Sequence, residues 1–288
     1  MIMDVLLAAI GFAGLLAATW VDIKTKEIPD WITYGMIFTG FSLRLINSIV
    51  LSLWSYFYYA IFSFLLMLVI GWTFYYTRQW GGGDAKLIMG LGVIFATTPF
   101  YLSASLFPFP IVLLMNILLM GALYGLFYGI FLALRYRKKF VKDLKFLNRQ
   151  KRTRRSKIFS LCIALILIFI MIYLVEDIRL KLIISSLSAF TLLLPYLRIF
   201  VRSVENSCLY QIKKVKDLTE GDWVEQDVVI RGKVIYRKKP LGIEKDDIQR
   251  LKDAKVKQII VKEGIPFAPP FLFGLLVTLL YGNIILVA

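Results

Sequence analysis

The chain has 288 residues, of which 59% are hydrophobic and 19% charged. A soluble domain is roughly 45–50% apolar and about 25% charged, so this composition excludes an ordinary soluble enzyme and, equally, a disordered chain. The net charge is +16 and there is no histidine, which removes Ser-His-Asp and Cys-His nucleophiles, His-ligated zinc and His-ligated haem.

Two cysteines are present, Cys162 and Cys208, and neither has a neighbour at C-x-x-C spacing. That leaves no zinc knuckle and no disulfide framework. Any chemistry is therefore expected from carboxylates, lysines, hydroxyls or backbone, with no metal and no other cofactor.

Apolar runs of the roughly 20 residues that cross a bilayer fall near 2–21, 31–50, 56–77, 85–106, 110–134, 158–175, 180–199 and 268–287. The first carries Asp4 and no Lys or Arg at its start, unlike a cleavable signal peptide, and is expected to remain as a helix. Alternating these spans puts 22–30, 78–84, 135–157 and 200–267 on one side. Every Lys and Arg lies on or beside that side except Arg44, Arg179 and Lys181. The positive-inside rule makes it cytoplasmic, with both termini outside. The spans 158–175 and 180–199 form a tight hairpin that adds or removes two crossings together, so sidedness survives either count. Trp20, Trp31, Trp72, Tyr75, Tyr76 and Trp80 cluster where the inner interfaces are drawn, as aromatic belts do.

Two segments extend beyond the bilayer. Residues 135–157 hold twelve Lys and Arg against the single acid Asp143. They read as a basic cytosolic loop facing anionic lipid, and nothing motif-like in them points to nucleic acid. In 203–264, Val228–Ile230, Lys233–Tyr236 and Gln258–Val261 read as short strands, with turn signals at Glu220–Asp222 and Lys239–Gly242. Glu244–Ala254 has helical spacing, with Ile248 and Leu251 three apart. The fold class that follows is an all-α polytopic membrane protein of six to eight transmembrane helices with a small, mostly β cytosolic module. Its parts are 1–134 (membrane core), 135–157 (basic loop), 158–199 (transmembrane hairpin), 200–267 (small module) and 268–288 (last transmembrane helix).

Ionisable groups at the edge of a spanning helix snorkel, pair or work. Asp22 closes the first span, ahead of Glu27-Ile28-Pro29-Asp30, and Asp84 opens the fourth, after Gly81-Gly82-Gly83 and before Lys86. Each has an ordinary reading, a boundary charge for Asp22 and a helix cap for Asp84. Both fall at the cytoplasmic ends of their helices, so they share one depth, and the connectivity allows helices one and four to be neighbours. Glycines permit close backbone approach and bending. A spanning protein tolerates irregular backbone only where it lines a cavity or packs on protein.

Gly81-Gly82-Gly83-Asp84 fits the G-x-G-D signature of membrane aspartyl peptidases. Asp22 followed by Ile28-Pro29 fits the first aspartate motif of prepilin peptidases. On these motifs the chain resembles the archaeal preflagellin/prepilin peptidases, most clearly up to about residue 135 and more weakly through the C-terminal module. The resemblance implies a membrane aspartyl endopeptidase with Asp22 and Asp84 catalytic. Such an enzyme cleaves short basic leader peptides from preflagellin- or type IV prepilin-like membrane-anchored subunits at the cytoplasmic face. Six spans are usual in this branch, so the 158–199 hairpin is a departure. Bacterial relatives carry paired C-x-x-C zinc motifs and also methylate the new N-terminus; this chain lacks those cysteines, which leaves peptidase activity only.

Two carboxylates close together share one proton, and that suffices to hydrolyse an amide. Asp84 at a helix N-terminus is expected to start as the base, and Asp22 at a helix C-terminus to hold the proton. Gly81, Gly82 and Gly83 are expected to form a flexible approach to the site, Glu27 and Asp30 to steer a basic leader, and Lys86 to stand beside the substrate. The rival reading is a cation- or proton-coupled transporter or channel using Asp22 and Asp84. A docking scaffold and a protease acting at other membrane depths stand behind it.

Overall fold

The computed structural model describes residues 2–99, 102, 106–230, 232–239 and 242–282. Five helices open the chain: α1 (Ile2–Thr25), α2 (Asp30–Leu51), α3 (Ser55–Tyr76), α4 (Gly82–Ile94) and α5 (Phe109–Arg135). Then come α6 (Arg137–Arg149), α7 (Lys151–Tyr173) and α8 (Ile178–Val204). Strands β1 (Tyr210–Lys214), β2 (Trp223–Val224), β3 (Val228–Ile230) and β4 (Lys233–Tyr236) precede α9 (Lys245–Asp253). Strand β5 (Gln258–Lys262) leads to α10 (Ala268–Tyr281). Six of the described helical stretches are long and apolar enough to cross a membrane: α1, α2, α3, α5, α7, and α8 with its continuation to Leu209. The protein is thus a polytopic, mostly helical membrane protein with a small sheet-containing module.

The chain divides into two compact units, Met1–Leu126 with Gly264–Ala288, and Phe127–Glu263. In the first, α4 is held against α2 and α3, and α1 packs along α2, α4 and α10. Small residues set these approaches. A Cβ on Gly71 of α3 would stand 2.9 Å from the Ala85 carbonyl oxygen, and one on Gly92 of α4 would meet Met67 at 2.7 Å. The core joins Leu15 and Ala18 of α1, Met36 of α2 and Met67 of α3 to Leu87 and Leu91 of α4, with Phe271 and Leu275 of α10.

The fourth expected span, 85–106, is not one helix. α4 has 13 residues, about 20 Å at 1.5 Å per residue, and stops at Ile94. Residues 97–99 are Thr-Thr-Pro, and a proline cannot continue a helix and disfavours helical geometry in the residue before it. Arg44 of α2 receives this early end. It donates to the Ile94 carbonyl at 2.6 Å and to Thr97 Oγ1 at 2.8 Å, and is 2% exposed. Apolarity carries on past Ile94, so hydropathy alone reads a full span. The remainder of that expected span, and residues 283–287 of the last one, lie partly or wholly outside the described residues.

In the second unit, α7 and α8 pack as an antiparallel hairpin. Pro195 inside α8 has no N–H for the Thr191 carbonyl, and Ser160 of α7 donates its hydroxyl to that oxygen instead. The expected basic loop is largely helical. In α6, Phe140 and Leu147 are buried while the lysines between them face outward.

The β module pairs β1, β5 and β2 in one antiparallel sheet and β3 with β4 in a second. Its core is Val215, Val224, Tyr236, Ile248, Leu251, Ile259 and Val261. Strands β3, β4 and β5 and helix α9 lie where the sequence pattern puts them; β1 and β2 are additional. Of the two expected turns, Glu220–Asp222 is described, whereas Pro240 and Leu241 lie outside the described residues.

Candidate active site

Asp22 lies on the last turns of α1 and is 4% exposed. Beyond it the chain turns sharply: Lys26, at φ 60°, donates its N–H to the Asp22 carbonyl at 2.7 Å, and Pro29 caps α2. The Asp22 side chain does not point to open water. Its Oδ2 accepts from the Ala268 N–H at 2.8 Å, with the Phe267 backbone alongside. These groups open α10. Pro269 and Pro270 follow Ala268 and carry no N–H, so Ala268 is the first-turn donor placed to meet an acid.

Asp84 sits at the third position of α4 and is half-buried. Its Oδ2 accepts from the Gly81 N–H at 3.0 Å, so the side chain reaches back to the helix start. Each acid thus gives one oxygen to a backbone donor. The helices that carry the two acids, α1 and α4, pack against each other.

The expectation that helix ends separate the two acids fares differently. Asp84 is at a helix N-terminus, as expected. Asp22, at the C-terminus of α1, also faces the N-terminus of α10, whose partial charge has the opposite sign. Both acids therefore face a helix N-terminus, and helix dipoles do not single out a proton holder between them.

The other residues singled out by sequence are arranged as follows. Gly81 precedes α4 and Gly82–Gly83 form its first turn, so the glycines are part of a helix start. Gly83 is where backbone must come close, since a Cβ there would be 2.8 Å from Ile28 Cβ. That contact joins the Ile28-Pro29 motif to the G-x-G-D motif. Asp30 and Lys86 pair with each other at 2.5 Å, tying α2 to α4, and Lys86 also lies over the Tyr34 ring. Glu27 is exposed, and its N–H donates to Thr25 Oγ1.

Three further features escape sequence reasoning. One is the Ala268 N–H; the pair of prolines after it, which favour the first turn of a helix, is the signal that could have found it. The second is Trp80, expected at the membrane interface but 4% exposed. It stacks on Phe74 at 4.4 Å and touches Phe271 at 5.3 Å, just ahead of the glycines. The third is Thr19, one turn before Asp22, buried with its hydroxyl making no hydrogen bond among the described residues.

Asp22 and Asp84 stand on separate helices, each fixed by one backbone N–H, and residues 9–130 match the type IV leader peptidase family. The full chain is 22% identical to a prepilin peptidase, EppA, of Methanothermobacter thermautotrophicus, covering 100% of this chain and 97% of the relative. A preflagellin peptidase of Methanococcus voltae is 33% identical over 35% of this chain and 42% of its own length. One from Methanocaldococcus jannaschii is 34% identical over 30% and 36%. No solved structure matches the chain.

Proposed function

We propose that this protein is a membrane aspartyl endopeptidase in which Asp22 and Asp84 jointly activate water to remove short leader peptides from prepilin- or preflagellin-like precursors. The peptidase class is that of the family matched by residues 9–130 and of the prepilin and preflagellin peptidases similar to the chain. The observation that carries the pairing is that α1 packs against α4, so Asp22 and Asp84, remote in sequence, stand on touching helices, each held by a backbone N–H. The transporter reading has no support from the matched family or from these relatives.

In the reaction, the pair holds one proton between its two carboxyl groups. The ionised member takes a proton from water as the oxygen attacks the scissile carbonyl. The protonated member donates a hydrogen bond to the carbonyl oxygen. Collapse of the tetrahedral species breaks the C–N bond, and a carboxyl proton goes to the leaving amine. The two acids titrate as a unit. The hydrogen bonds from Gly81 and Ala268 hold one oxygen of each acid in place.

The active site faces the cytoplasm and both termini lie outside, because the basic segments share one side. At that edge the cut falls just ahead of a substrate's hydrophobic helix, where no buried backbone has to be unwound. Glu27, exposed five residues after Asp22, offers a negative charge to a basic leader. Asp30 contributes through its pair with Lys86, which also fixes the start of α4. Gly81 to Gly83 keep the backbone slim where substrate approaches.

The test mixes the detergent-purified full chain with a preflagellin or prepilin precursor and follows the loss of its leader by mass. Cleavage at a single site ahead of the hydrophobic segment, unchanged by a chelator, is the expected result. No cleavage of any such precursor, together with cation-dependent flux in vesicles, would overturn it.

A further inference from the structure

At the foot of the α7–α8 hairpin lies a small open pocket of about 40 Å³, at the junction with the end of α6. Arg152 on α7 and Arg198 and Arg202 on α8 line it, together with Gln150, Thr153 and Ser156. None of the three arginines has an acidic partner among the described residues. Leu147 and Ile199 are buried against its floor. The three arginines are exposed and together make the mouth of the pocket strongly positive.

The chemistry of the lining narrows the occupant. Guanidinium groups present planar donor forks that match phosphate oxygens. The two hydroxyls add neutral donors, and the lining holds no carboxylate. A basic leader peptide is repelled, and a single carboxylate leaves most donors unused. The first turn of α7 opens beside this lining, with Gln150 making no side-chain cap, so its backbone N–H groups add to the positive potential.

Position points to the source. The arginines stand at the end of two helices whose outer faces are apolar, with Ile158, Leu161, Leu165 and Leu194 exposed. An amphiphile whose head enters the cavity finds an apolar wall for its chains directly adjacent.

We propose that this cavity binds a phosphate-bearing anion, met in the membrane as the headgroup of an anionic phospholipid. Basic pockets between helices on the positive side of a bilayer suit such headgroups. Binding there anchors the hairpin at a fixed depth, independently of the peptidase reading.

The test uses native mass spectrometry on the full chain in a neutral detergent with short-chain phosphatidylglycerol, short-chain phosphatidylcholine or inorganic phosphate. Three variants join the wild type: R152Q/R198Q/R202Q, T153V/S156A, and the control K138Q/K139Q/K145Q, which removes the same charge from α6. The expected result is that the arginine variant loses phosphatidylglycerol by roughly tenfold or more. The hydroxyl variant loses less, and the α6 control retains the lipid. Displacement by inorganic phosphate assigns the site to the phosphate group alone; retention in its presence assigns it to the lipid. Equal losses in the arginine variant and the α6 control would show diffuse attraction and overturn the site. So would equal binding of phosphatidylcholine and phosphatidylglycerol, or full retention in both cavity variants.

Discussion

Met1–Leu126 with Gly264–Ala288 buries polar groups inside a packed set of helices, and most of them fix a helix end or a neighbour. Arg44 closes the end of α4, Ser63 donates to the Gly92 carbonyl, Asn116 donates to Thr278, and Asp22 accepts from the start of α10. Phe127–Glu263 instead exposes most of its lysines and arginines, lets α7 and α8 face outward, and builds its β core mainly from aliphatic side chains and Tyr236, with Asp247 buried beside it. In the first unit the residues that stabilise the fold are also those that place the candidate acids, so stability and activity cannot be separated there. In the second they are expected to separate. The family match falls almost wholly on the first unit, while the prepilin peptidase of Methanothermobacter thermautotrophicus aligns along both.

The sharpest way to break this comparison is Trp80→Ala. Removing a ring packed between Phe74 and Phe271 costs about 3–5 kcal/mol and loosens the start of α10 that holds Asp22, so melting temperature and cleavage rate fall together. Trp80→Phe retains most of both. A Trp80→Ala protein of lowered melting temperature but undiminished cleavage would uncouple the two in the first unit.

Leu251→Ala probes the other side. Leu251 is fully buried in the β module, and its truncation costs about 2–5 kcal/mol. Hydrogen exchange of the β1 and β5 amides is expected to accelerate while precursor cleavage continues at the wild-type rate. Loss of cleavage would place the module within the catalytic apparatus.

The smallest effect is alkaline. Burial raises the Tyr236 hydroxyl's pKa, and hydrogen bonds to Asp247 and then Glu244 raise that of the Lys239 ammonium. Groups that hold protons more tightly when folded contribute stability below their ordinary pKa and lose it as pH rises through the folded value. Module stability, from exchange corrected for intrinsic rates, is therefore expected to be level through neutral pH and to fall above about pH 10. Tyr236→Phe removes part of that fall.

What the sequence made legible follows the same division. Asp22 and Asp84 could be singled out because charge at the edge of an apolar run costs energy and stands out. The true length of α4 could not, since Phe95, Ala96 and Phe100 extend the apolar run past the point where Pro99 and Arg44 end the helix. The hydrogen bond from Ala268 to Asp22 is a backbone group 246 positions away and carries no side-chain signature. In the module, β3, β4 and β5 showed their β-branched runs. Strand β1, Tyr-Gln-Ile-Lys-Lys, hid because its residues are largely polar and exposed.

Whether Asp22 and Asp84 act as one unit is decided by single-turnover cleavage by Asp22→Asn, Asp84→Asn and the double variant, each inserted in membranes like wild type. Residues that work together give non-additive losses. Each single variant is predicted to lose about as much as the double, on the order of a thousandfold or more. A single variant that still trims its precursor at close to the wild-type rate, or losses that simply multiply in the double, would contradict the account.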